Sequence, residues 1–310
     1  MIKYFLYTLI ILLSGCTADF TVFEKAEEPV YIHFSTNTNI QVDVSEDTRG
    51  GIFEQEIPIG ILGIGTQAEH LNWTTLAGRN AASLHQWMAN DVYHLHDRNI
   101  EHSLGQHPSF PIEDSSAIAA YAYLPHTQHI VYDNDSCYIP IDLMVDSATT
   151  DWMYTGRVTK TKAGYCEDPT FVFNFRHAMT RLDIVISPEI TVNDTVEILG
   201  IDLGMYNHGK GRLLLEDGVV SLDTATCRPD SVYRLRRRKT NIKFTTQEET
   251  QYTEILYLMP YTKIHDLRIV GVWNGTDTLH YEHYIDTTLW NRANLHPGKR
   301  SVINIKSIRR

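Results

Sequence analysis

The sequence has no Cys-x-x-Cys pair, and only four of its 310 residues are cysteine. That excludes a zinc ribbon and a thioredoxin-like redox site, both of which need closely spaced thiolates. Positive charge is not in excess: 27 Lys and Arg stand against 38 Asp and Glu, for a formal charge of -11. A nucleic-acid partner, which requires a basic face to displace counterions from phosphates, is therefore not expected. No GxSxG nucleophile elbow, GxxxxGK[ST] phosphate loop or HExxH motif occurs. No catalytic residue, metal or cofactor is assigned on this basis, and no enzyme is expected. Beyond residue 13, nothing approaches the roughly 18 apolar residues of a membrane-spanning helix.

The one long apolar run is residues 4–13, Tyr-Phe-Leu-Tyr-Thr-Leu-Ile-Ile-Leu-Leu, just after Lys3. At about 1.5 Å per residue it is too short to cross a bilayer as a helix, and it reads as the apolar region of a signal peptide. Leu13-Ser-Gly-Cys16 follows and resembles a bacterial lipobox. The expectation is a signal peptide over 1–15 and a lipoprotein acylated, palmitate included, at Cys16. Its lipid chains, at about 0.8 kcal/mol per buried methylene, would anchor it to the outer membrane. Thr17 in place of Asp fits that destination by Gram-negative sorting rules. The remaining Cys137, Cys166 and Cys227 are odd in number, so at least one stays free or pairs between chains. A Cys137–Cys166 bridge is allowed but not required.

The rest reads as strands and turns. Alternating or short apolar runs recur at Tyr31-Ile-His-Phe-Ser35, residues 57–64, 117–124, 171–175, 182–186, 196–201, 212–215, 254–259, 267–273 and 301–305. Gly, Pro, Asn and Asp punctuate them. Asn274-Gly275 marks a hairpin. This spacing predicts an all-β protein of sandwich type, with one short helix over 81–93 carrying Leu84, Trp87, Met88 and Val92 on a face. A weak repeat aligns Tyr121-Ala-Tyr-Leu-Pro125 with Leu256-Tyr-Leu-Met-Pro260, an offset of 135 residues. It sets a boundary near 163, giving domains over 16–163 and 164–310.

Other constellations point to structure. Gly60-Ile-Leu-Gly-Ile-Gly65 has aliphatic residues between its glycines and no following lysine, so it reads as a buried strand. His94 and His96 would share one face of a strand, with His102 and His107 nearby, but no acidic or cysteine triad accompanies them to make a metal site. His280 and His283 would face apart on a strand. Arg234-Leu-Arg-Arg-Arg-Lys239 reads as a charged edge strand that blocks unwanted pairing, with an acidic partner or polyanionic glycan as the other reading.

Several blocks together resemble the fimbrillin family, the two-domain, type V pilin-like lipoproteins of Bacteroidia-type bacteria. They are the lipobox, Ile32-His-Phe-Ser35, Thr48-Arg-Gly-Gly51, Ile59-Gly-Ile-Leu-Gly63, Tyr121-Ala-Tyr-Leu-Pro125 and Asp151-Trp-Met-Tyr-Thr155. Phe175-Arg-His-Ala-Met-Thr-Arg-Leu182, similar to the family's Phe-x-His-Ala-Leu-Ser-Arg-Leu, is the most specific. The closing Pro297-Gly-Lys-Arg-Ser-Val-Ile-Asn-Ile305 matches except that Ser301 replaces an aromatic.

The resemblance implies two transthyretin-like Greek-key sandwiches in tandem and a stalk or tip subunit of a surface fimbria that contributes to adhesion. It implies strand exchange with other pilus subunits and makes Arg49-Gly50, in a polar loop-like stretch, the candidate cleavage bond that would release a propeptide over 16–49; an uncut loop arginine is the other reading. Ile303 and Ile305 alternate as a candidate donor strand would, and as a resident strand would too. An Asp-Ser/Thr-aliphatic pattern similar to the O-glycosylation acceptor of the same bacteria recurs at Ser147, Thr195, Thr224, Ser231, Thr278 and Thr287. Common Asp-Thr turns between strands would give the same pattern. A host or bacterial surface ligand is a further expected partner. The alternative is a monomeric surface lipoprotein that binds glycans through exposed aromatics.

Overall fold

The computed structural model describes residues 29–37, 58–66, 88–96, 98–105, 107–110, 117–133, 136–143, 150–246, 251–284 and 295–306. In chain order the first strands are β1 Phe34–Thr36, β2 Pro58–Thr66, β3 Ala89–His96, β4 Asn99–His102, β5 Ala117–Leu124, β6 Val131–Asp133 and β7 Ser136–Asp142. Next come β8 Met153–Tyr154, β9 Val158–Thr161, the short helix α1 Lys162–Glu167, β10 Phe171–Phe173, β11 Arg176–His177 and β12 Thr180–Ile186. The remaining strands are β13 Val196–Tyr206, β14 Lys210–Leu214, β15 Val220–Leu222, β16 Tyr233–Phe244, β17 Tyr252–Leu258, β18 Lys263–Trp273, β19 Asp277–Tyr284 and β20 Arg300–Ile305.

These strands make four sheets and two sandwich cores. In the first sandwich a nine-stranded sheet, ordered β10-β1-β4-β3-β2-β5-β8-β11 with β9 also on β5, packs against β15-β14-β7-β6. Tyr121, Tyr123, Ile139, Ile141, Leu213 and Leu215 are buried between them. In the second, β17-β12-β20 packs against β16-β13-β18-β19, around Leu182, Ile184, Ile198, Leu203, Leu256 and Ile269. Period-two alternation puts Leu182, Ile184 and Ile186 of β12 inward. On β13 a bulge between Ile198 and Gly200 shifts the phase. Val196 and Ile198 before it and Ile201, Leu203 and Met205 after it therefore all reach the core.

Three ladders join strands on either side of residue 163: β1 with β10, β8 with β11, and β7 with β14. The β14–β15 hairpin thus completes the first sandwich with sequence from the second half. Residues 31–310 form one compact unit.

The helix expected over 81–93 is corrected in part. Residues 89–93 open strand β3, paired with β2 and β4, and residues 81–87 lie outside the described residues. Met88 and Asn90 have φ of 60° and 65°, a backbone region that no helix passes through. Pairing on both sides then overrides the helical spacing. The glycine-rich run is β2, as expected. The Tyr123 ring lies over Gly60, where an added Cβ would sit 2.3 Å from Tyr123 Cζ.

Candidate functional site

Strand β1 occupies a slot inside the nine-stranded sheet. On one side it runs parallel to β10, with Phe34 opposite Phe171 and Thr36 opposite Phe173. On the other it runs antiparallel to β4, with Phe34 opposite Ile100. The pairing continues upstream: Ile32 N–H donates to the Pro108 carbonyl at 2.7 Å, and Tyr31 bridges Ser109. Alternation sends Ile32, Phe34 and Thr36 inward, all nearly fully buried, while Tyr31 and His33 face out.

The middle of the slot is aromatic. The Phe34 ring lies 5.5 Å from Phe173 in a stacked arrangement, 5.8 Å from Phe171 and 5.4 Å edge-on from Tyr93. Phe110 and Tyr165 extend this cluster through Phe171. Tyr165 comes from α1, which Thr161 caps by accepting from the Gly164 N–H. Its hydroxyl accepts from the His33 N–H at 2.7 Å. Burial raises the Tyr165 hydroxyl pKa, and that hydrogen bond opposes the rise. Tyr93 Oη is buried with no hydrogen-bond partner among the described residues. Its pKa is pushed far up, first by burial and then by the charge of Asp91.

Strand β20, which holds Ile303 and Ile305, is an edge strand paired in parallel with β12 of its own chain, Ile184 opposite Ile303 and Ile186 opposite Ile305. Ile305 is buried in the second core and Ile303 packs against it. Ser301, where the family pattern has an aromatic, is also buried. At the start of the strand, Arg300 Nε donates to Asp183 Oδ2 at 2.7 Å. Arg181 Nε holds Asp183 Oδ1 at the same distance.

Of the other residues marked in the sequence, Cys16, Arg49, Gly50, Ser147 and Thr287 lie outside the described residues. Thr224 is exposed in the turn between β15 and β16 and Thr278 is exposed on edge strand β19, while Thr195 and Ser231 are half-buried. Cys137, Cys166 and Cys227 are all free, Cys166 exposed and the other two buried. His94 and His96 do lie on one strand, but among the described residues no group of three His, Cys, Asp or Glu is placed to hold a metal.

The basic run forms edge strand β16, and three of its arginines are engaged by carboxylates of the same chain. Arg234 grips buried Asp266 with contacts of 2.8 and 3.2 Å. Arg236 lies 3.4 Å from Asp202 and Arg237 3.7 Å from Glu254. Gly204 makes room for Asp266, since an added Cβ would sit 2.1 Å from its Oδ1.

Sequence reading found the alternation of Ile32 and Phe34 but not the interior place of β1. The matching Phe171-x-Phe173 was the available signal. Nothing in either stretch announces a parallel pairing.

A family model described as fimbrillin-like matches residues 37–309. No curated protein matches the chain. Among solved structures, the chain is similar to a candidate cell adhesion protein of Bacteroides uniformis, with a TM-score of 0.56 and 15% identity over 89% of this chain and 93% of that one. A candidate cell adhesion protein of Bacteroides ovatus gives 0.49 and 16%, over 90% and 92%. At such identities the first likeness concerns the fold, and the second carries no further weight.

Proposed function

The chain belongs to the fimbrillin-like family, and on that premise we propose that it is a subunit of a cell-surface fimbria, exported as a lipoprotein on Cys16 and contributing to adhesion. Cleavage at Arg49-Gly50 separates β1 from the body of the protein, and a strand from a neighbouring subunit takes its place. The division near residue 163 belongs to the same reading, with the β14–β15 hairpin crossing it.

The position of β1 carries the proposal. It lies upstream of Arg49, is stitched to the sheet on both sides, and buries three alternate side chains. Removing it opens two rows of backbone hydrogen-bonding groups above an apolar trough. That is the template strand addition uses, with main-chain bonds giving strength and alternate side chains giving register. Exposed Thr224 and Thr278 are the most accessible of the described glycan acceptors in this proposal.

The test is to isolate the protein from sheared surface fibres. Covalently unlinked but detergent-resistant association with other subunits supports the proposal. A lipidated monomer that stays in the membrane and binds glycans supports the alternative.

A further inference from the structure

The β1 slot has a shape that constrains its next occupant. Its three inward positions hold an aliphatic side chain, an aromatic ring and a small hydroxyl-bearing group: Ile32, Phe34 and Thr36. The middle position is walled by Tyr93, Phe171 and Phe173 at ring distances of 5.4 to 5.8 Å. Filling it with anything but a planar ring leaves a void and forfeits the stacked contact with Phe173.

The chain's own last strand can be laid on this pattern in one sensible register, Ile303-Asn-Ile305-Lys-Ser307 over Ile32-His-Phe34-Ser-Thr36. The ends agree: Ile303 takes the aliphatic position and Ser307 the small one. The centre does not, because Ile305 falls where the Phe34 ring sits, and residues 297–310 contain no aromatic. The same strand is also committed elsewhere. Ser301 and Ile305 are buried in the second sandwich, β20 is laddered to β12 over six residue pairs, and Arg300 is tied to Asp183, whose side chain is fully buried. A second copy would have to give up all of these contacts to donate a strand that fits poorly.

We infer that the β1 slot selects an incoming strand of the pattern aliphatic–x–aromatic–x–small, and that its donor is a different subunit carrying such a strand rather than a second copy of this chain. The inference rests on the strand-exchange reading above.

It is tested on the full mature chain, made without lipid, labelled at its N-terminus and cut at Arg49. Release of the labelled 17–49 fragment is followed by fluorescence anisotropy against three synthetic peptides. One copies residues 30–37, one carries Phe34→Ala in that sequence, and one copies residues 299–310. The first is expected to displace the fragment and the other two to need at least about tenfold more peptide, the effect of losing one buried ring. Equal displacement by the 299–310 peptide overturns the inference and leaves strand exchange standing. Failure of all three peptides on a still-folded protein overturns the strand-exchange reading itself, and the inference with it.

Discussion

His177 Nδ1 and Asp151 Oδ2 lie 2.7 Å apart, and this contact joins two of the stretches whose sequences resemble the family. Around it Arg176 pairs with Tyr154 and His177 with Met153, and Ala178 N–H donates to the Trp152 carbonyl at 2.8 Å. Three residues on, Thr180 donates to the His296 carbonyl and Arg181 holds Asp183. The Phe-x-His-Ala-Met-Thr-Arg-Leu block therefore acts as a structural seam. It docks β8 on one side and positions β20 on the other.

The seam should respond to pH. The Asp151 hydrogen bond raises the His177 pKa above its usual value, burial pulls against it, and the Asp151 charge adds to the rise. A group whose folded pKa is raised stabilises fully below its unfolded value, near 6.5. That contribution is lost as pH climbs through the raised folded value. With His177 45% exposed, it should amount to about 1 kcal/mol or less. Thermal melts of His177→Gln and the native chain should differ at pH 5.5 and converge by pH 9. A gap that widens with pH would contradict this account.

Gly60 should tolerate no side chain. The Tyr123 ring fills the space a Cβ would need, and its hydroxyl is held by Asn90 Oδ1 at 2.5 Å and the Thr127 carbonyl at 2.9 Å. Gly60→Ala must push the ring off both partners, at an expected cost of about 1–3 kcal/mol. Tyr123→Phe keeps the ring and should cost only about 1 kcal/mol. Chemical denaturation of the two variants gives the order.

Asp266 should be the more damaging loss on the second sandwich. Burial pushes its pKa up, but hydrogen bonds from Arg234 and His265 and the charges of Arg234 and Arg268 outweigh burial and hold it below the usual carboxylate value. Its contribution is present above about pH 3.9 and is lost as pH falls through the lowered value. Asp266→Asn leaves Arg234 and Arg268 facing a neutral group. The expected cost is about 2 kcal/mol, less than for a fully buried pair, because both arginines keep some solvent contact. Urea midpoints at pH 7 and pH 3 check both points: the gap between native and variant should shrink in acid.

Tyr93→Phe should be neutral or slightly stabilising, by about 1 kcal/mol at most. The Tyr93 hydroxyl is buried without a partner among the described residues, so its removal sheds a desolvated group and keeps the ring against Phe34. Marked destabilisation, read by thermal shift, would show that the hydroxyl has a role in the slot.

Most strands were legible because each carries its own local signal. β12 alternates, β5 stops near Pro125, and β18 turns into β19 at Asn274 and Gly275, both at positive φ. The basic run was legible as an edge because its nearly unbroken charge, Arg234-Leu-Arg-Arg-Arg-Lys239, suits a strand with one side left unpaired. Three things were not legible. The helical spacing over 81–93 misled because pairing with β2 and β4 decides the fate of residues 89–93. The parallel placements of β1 on β10 and β20 on β12 depend on partners more than 100 residues away. The β14–β15 hairpin joins β7 across about 70 residues, Lys210 opposite Asp142, and no short-range pattern encodes such a choice.

The central claim is that β1 is a removable part of the fold, occupying a slot that another subunit's strand later fills. Its most direct test is the N-terminal residue of the protein in harvested surface fibres, read by sequencing or mass spectrometry. The account predicts Gly50, with residues 17–49 absent from the assembled form. Finding residues 17–49 still attached in fibres would contradict it.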